Sequence, residues 1–157
     1  MEDNGLGPRL LEVCVDQIEA IFPALDAGAH RIELCSRLDL DGLSPSLDDF
    51  QRAVVAVDSS LDSQDDLPLQ IMVRLSTDSF LYSDDQILEM EKYIHAVKSL
   101  ADSLLQTLVL KHPRRRVLTG FVFGCLSLSP SSSAPHWEVH KAHTERLISA
   151  ARPYSVT

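Results

Sequence analysis

Apolar and polar positions alternate with a period of two along residues 10–16, "LLEVCVD", and again along residues 31–36, "RIELCS". That spacing predicts two strands, because successive side chains of a strand point to opposite faces. Glu-x-Cys recurs in both, as Glu12 with Cys14 and Glu33 with Cys35, while Val13, Val15, Ile32 and Leu34 take the alternate positions. Further strands are predicted over 69–75 ("LQIMVRL") and 120–126 ("GFVFGCL"), with a last one beginning in "YSVT". Helical patterns separate them. The first starts at Asp16, with Glu19 completing a capping box, is bent by Pro23 and closes at Gly28. The second covers 47–57 behind the capping pair Ser46 and Asp49, and the third runs from the Ser83–Gln86 cap to about Ala101. A fourth is predicted over 136–151, and residues 102–119 suit either a continued helix or an extra strand.

Strands alternating with helices predict right-handed crossovers and a parallel sheet, an α/β fold. The length of 157 residues indicates one domain, spanning 10–157 after a polar lead-in at 1–9. A hydrophobic content of 45% and a charged content of 24% are ordinary for a globular chain and set disorder aside. The net charge of −9 makes nucleic acid an unsuitable partner, since phosphate binding rests on Lys and Arg. The one basic run, "KHPRRR" at 111–116, is short, broken by Pro113, and expected to be an exposed loop. The N-terminus has no signal-peptide pattern and the chain no long apolar run, so a cytoplasmic protein without a membrane partner is expected. Three cysteines, Cys14, Cys35 and Cys125, are expected to remain thiols there.

On adjacent strands about 4.8 Å apart, Glu12, Cys14, Glu33 and Cys35 fall on one face. Two thiolates so placed suit a soft, low-coordinate ion such as Cu(I) or zinc, and Met72, on the same face as Gln70 and Arg74, offers a thioether. The same spacing also suits two small buried hydrophobes. A competing constellation is Glu12, Glu33 and Arg74: Glu33 as general base and Arg74 as anion anchor for a small anionic metabolite, or simply a neutralised ion cluster. His136, His140 and His143 fall on one side of the fourth predicted helix but lack a converging third group. Cys125 is expected to be a packed thiol, and Ser44, Ser46 and Ser83 to start helices rather than act as nucleophiles. No Gly-rich phosphate loop is present.

Taken in order, "LLEVCVD", "AGAHRIELCS", "GLSPS", "MVR", "FLYSDD", "GFVFGCL" and "RPYSVT" resemble the first half of the CutC family of copper homeostasis proteins. The resemblance implies a partial (β/α)8 TIM barrel of about four βα units plus the start of a fifth strand, where a whole barrel takes roughly 250 residues. It implies a cytoplasmic copper-binding protein with Cys14 and Cys35 as ligands to Cu(I); the alternative is a barrel enzyme, or an inactive truncated relative of one. Two departures stand out: "RLSTDSF" from Arg74, where the family usually has Arg-Pro-Arg-Gly-Gly-Asp-Phe, and an apparent insertion between Ala101 and Gly120. A half barrel is expected to leave unpaired edges and an apolar inner face, favouring homo-oligomers, aggregation or failure to fold alone. With half the pocket wall missing, turnover is expected to be absent and weak Cu(I) binding to survive.

Overall fold

The computed structural model describes residues 10–60, 68–107, 116–129 and 136–157. The lead-in at 1–9, most of the acidic connection after the second helix and all but Arg116 of the basic run lie outside them. Five strands, β1 (Glu12–Val15), β2 (Arg31–Leu34), β3 (Leu69–Met72), β4 (Gly120–Val122) and β7 (Ser155–Val156), form one sheet in that order, every pair parallel. Helices α1 (Ile21–Asp26), α2 (Leu47–Ser60), α3 (Asp84–Thr107) and α4 (Lys141–Ala151) fill the connections. A strand order that follows the sequence without reversal carries the predicted α/β alternation through the whole sheet.

The core lies on one face. Val15, Ile32, Leu34, Leu69, Ile71, Val73 and Phe121 are buried there against Phe50, Val54 and Val57 of α2, Ile87, Met90, Ile94 and Val97 of α3, and Leu147 and Ala151 of α4. The opposite face, called inner below, carries Glu12, Cys14, Arg31, Glu33 and Gln70. Across β1 and β2 it is polar, which corrects the expectation of a wholly apolar inner face: the strand period that sends Val13, Val15, Ile32 and Leu34 outward leaves Glu12, Cys14, Arg31 and Glu33 on the other side. Apolar side chains enter it toward β4, with Met72 and Val122.

Local signals explain several boundaries. Ser46 Oγ accepts from Asp49 N at 3.0 Å, and Ser83 and Gln86 cap each other reciprocally at 2.9 and 3.3 Å, as their spacing predicts. α1 closes on Gly28, whose φ of 99° suits only glycine well; its N–H reaches Leu25 O and the Ala29 N–H reaches Ala24 O. Other expectations are corrected. Asp16 caps no helix; its carboxylate accepts from Leu38 N at 3.1 Å, and the chain enters α1 through a 3-10 turn over Ile18–Ala20 without a side-chain cap. Pro23 stands in the first turn of α1, where its missing N–H is best tolerated, rather than inside a longer helix. α3 continues to Thr107, which settles the start of the ambiguous stretch as helix; residues 108–115 lie outside the described ones.

The fourth helix starts five residues later than its pattern suggests. Trp137–Val139 is strand β6, paired antiparallel with β5 (Leu126–Leu128), and α4 begins only at Lys141. β4 correspondingly ends at Val122, not at 126. Leu128, Trp137 and Val139 share one face of this hairpin and are exposed.

Candidate functional site

The register of the sheet decides which inner-face side chains meet. Cys14 stands opposite Glu33, Glu33 opposite Gln70, and Gln70 opposite Gly120. The two Glu-x-Cys motifs are therefore offset by one step: Cys14 neighbours Glu33, and its thiol donates to Glu33 Oε2 at 2.9 Å. One row toward the strand N-termini, Arg31 stands opposite Glu12 and forms an ion pair with it. With its amide oxygen turned toward Arg31, Gln70 accepts from Arg31 Nη1 at 3.0 Å. Cys35 continues β2 beyond Leu34, and its thiol donates to Val15 O at 3.3 Å. Cys35 thus lies two residues along from the partner of Cys14, which at normal strand spacings separates the two Cα atoms by roughly 8 Å. That is too far for a disulfide but within reach of two long ligand bonds to one ion.

Electrostatics on this face favours the protonated forms. Covering of the Cys14 sulfur, then its bond to Glu33 and the charges of Glu33, Cys35 and Glu12, push its thiol up to about 12, although the residue as a whole is exposed. Burial, then Glu33 and Asp16, push Cys35 up to about 11. Burial also raises the Glu33 carboxyl above its ordinary value; the bond from Cys14 and the charge of Arg31 oppose this, and Glu12 adds to it. Glu33 Oε1 is buried without a partner. The face is short of positive charge, and a bound cation would lower all three groups together. Among the described residues no group of three or more His, Cys, Asp and Glu side chains is gathered to hold a metal ion.

The mouth of the inner face is closed by the loop after β2. Arg37, Asp41 and Gly42 all adopt positive φ, at 51°, 61° and 81°, and the loop turns back over the sheet. Gly42 lies so close to Met72 that a Cβ there would stand 2.9 Å from its Sδ. Arg74 fastens this loop. Its Nη1 donates to the carbonyls of Leu40, Asp41 and Gly42 at 3.4, 3.1 and 3.3 Å, its Nη2 reaches Thr77 O at 3.5 Å, and its Cζ sits 4.7 Å over the Phe80 ring. The charges acting on Glu33 are those of Glu12 and Arg31; Arg74 is not among them. The predicted base and anion anchor thus sit in separate surroundings.

The remaining candidates are structural. His140 is the N-cap of α4, accepting from His143 N at 3.2 Å, and the two rings stack 3.7 Å apart. His143 Nε2 is 3.2 Å from Asp84 Oδ1, while His136 precedes β6, so the helical histidine stripe does not form. Cys125 is buried, as expected of a packed thiol. Ser44 braces Arg74 through its Oγ, 2.9 Å from Arg74 N. Sequence reasoning missed Tyr82, which is buried at this mouth with its hydroxyl unpartnered. An aromatic residue immediately before the Ser83 cap was the available signal.

Residues 9–114 match the sequence profile of the CutC family. The copper homeostasis protein cutC homologs of Caenorhabditis elegans and Dictyostelium discoideum are 31% and 30% identical over 94% and 93% of this chain. The alignments cover 47% and 45% of those proteins, so the chain spans about half the length of the curated relatives it matches. In space it is similar to a solved structure of a copper homeostasis protein CutC of Streptococcus agalactiae, with a TM-score of 0.65 over 94% of this chain and 58% of that one. Their sequence identity is 19%, and the likeness is one of fold. With the profile covering about two thirds of the residues and the ordered strand motifs lying in one sequential parallel sheet, the chain belongs to the CutC family.

Proposed function

We propose that this is a cytoplasmic copper-homeostasis protein that takes Cu(I) on the inner face of the sheet, between the thiolates of Cys14 and Cys35. The observation that carries the reading is their placement: two thiols on one face of adjacent strands, too far apart to oxidise to a disulfide and set among carboxylates that a monocation would satisfy. Names of the relatives point to copper homeostasis, and no described helix is long and apolar enough to cross a membrane. Met72, whose thioether packs under Gly42, is the third sulfur available. Because both thiols are protonated at neutral pH, Cu(I) uptake releases their protons and strengthens as pH rises. In the same reading the five parallel strands are part of a (β/α)8 barrel, and the inner face is the barrel interior.

The test is anaerobic Cu(I) titration against a competing chelator. Cys14→Ala and Cys35→Ala should each weaken binding strongly, and the double variant should abolish it. Equal affinity in the double variant and the parent chain would remove these ligands from consideration.

A further inference from the structure

A second feature of the inner face, which shares Met72 with the sulfur donors but includes neither Cys14 nor Cys35, is a cavity of about 100 Å³ at the C-terminal ends of β3 and β4. Arg74 and Tyr82 both line it, and both are more than nine-tenths buried, at 7% and 8% exposure. The Arg74 Nη atoms are occupied by backbone carbonyls, but its Nε has no hydrogen-bonding partner, and neither does the Tyr82 hydroxyl. The two unpartnered donors thus belong to residues that line the same cavity. Among the described residues no carboxylate pairs with Arg74. A cation this deeply buried and bonded only to neutral carbonyls is complementary to an anion.

We propose that this cavity binds a small monocarboxylate, whose oxygens accept from Arg74 Nε and from the Tyr82 hydroxyl. The remaining wall, from Met72, Phe80, Val122 and Phe123, is apolar and suits a short alkyl end. A volume of about 100 Å³ has room for a small acid such as acetate. Among the described residues Asp41, which is exposed, is the only other ionisable one in the lining, and its negative charge selects against phosphate and other dianions.

Methionine-methyl NMR tests this directly, because the chain has three methionines and, of the two among the described residues, Met72 alone lines the cavity. With methyl-13C-methionine protein, acetate titrated at constant ionic strength should shift the Met72 methyl saturably in the millimolar range and leave the buried Met90 methyl in place. Tyr82→Phe should weaken acetate about tenfold, the effect of one hydrogen bond to a charged group. Val122→Phe, which fills the cavity, should abolish the shift, with the Met90 signal reporting that each variant is folded. The proposal is overturned by an unmoved Met72 methyl, by unchanged acetate affinity in Tyr82→Phe, or by an equal saturable shift with chloride. None of these outcomes bears on Cu(I) binding at the two cysteines.

Discussion

On the outer face of the sheet, Ile32, Leu34, Leu69, Ile71 and Phe121 are at most 1% exposed and belong to one apolar cluster with the helices. On the inner face, one residue away along the same strands, Glu12, Arg31, Glu33 and Gln70 meet one another as an ion pair, hydrogen bonds and an unpartnered carboxylate oxygen. The outer face holds the fold together by removing apolar area from water, a term that grows with every buried carbon. Inner-face polar groups contribute little net stability, because what they gain from one another they lose in desolvation. Stability and chemistry are thus divided between the two sides of one set of short strands.

The strongest way to break this contrast is from the outer side. Phe121 is fully buried and meets Tyr154 edge-to-face at a centroid distance of 5.9 Å. Phe121→Ala should cost about 3–5 kcal/mol, seen as a large fall in the urea midpoint. A loss under about 1 kcal/mol would mean that the outer face is not where stability resides.

Next in size is the clasp at the mouth. Arg74→Leu strips the hydrogen bonds from the carbonyls of Leu40, Asp41 and Gly42 and frees a loop held in positive φ at three positions. The expected cost is about 2–3 kcal/mol. Hydrogen exchange should accelerate at Leu43 and Ser44, whose amides bond to Ser36 O and Arg74 O, and leave α3 unaffected. Uniform acceleration across the chain would make Arg74 a core residue rather than a loop fastener.

These two sites also mark what the sequence made legible. The strand that carries Phe121 was readable as an apolar run, and the two faces were readable on β1 and β2, where alternation separates them without any knowledge of neighbours. The capping pairs at Ser46 and Ser83 were readable for the same local reason. The role of Arg74 was not, since its partners lie more than thirty positions earlier, in a loop whose positive φ values fall partly on non-glycine residues. The meeting of Cys14 with Glu33 rather than Cys35 depended on register, which a repeated motif suggests wrongly when the strands pair one step out of phase. The histidine stripe failed because residues 137–139 satisfy strand and helix patterns equally, and pairing with β5 decided the outcome.

A smaller effect separates the faces by pH. The Glu33 carboxyl is held above its ordinary value of 4.5 in the folded chain, so the native state binds its proton more tightly than the unfolded state does. Stability from this group is therefore fully present below about pH 4.5 and is lost as pH rises through the raised folded value. Gln at this position still accepts from the Cys14 thiol and never ionises. Glu33→Gln should accordingly match the parent in acid and become the more stable of the two as pH approaches neutrality. Urea midpoints measured across that range check it, and a difference that stays constant with pH would sink the assignment.

The smallest expected effect belongs to Cys14. Its side chain is exposed, so truncation removes little buried area, and its remaining contribution is one weak S–H donor to Glu33. That bond lowers the Glu33 carboxyl value against the larger effect of burial, so it stabilises the ionised form selectively. Cys14→Ala should therefore cost about 0.5 kcal/mol near neutral pH and almost nothing below pH 4.5, where Glu33 is protonated in both states. In a Glu33→Gln background the same truncation should lose its pH dependence, because no charge remains for the thiol to stabilise. A double-mutant cycle run in urea at both pH values isolates this coupling. A penalty equal at both pH values would mean that the thiol acts through packing, and the electrostatic account of this face would then have to be rebuilt around Arg31 and Glu12.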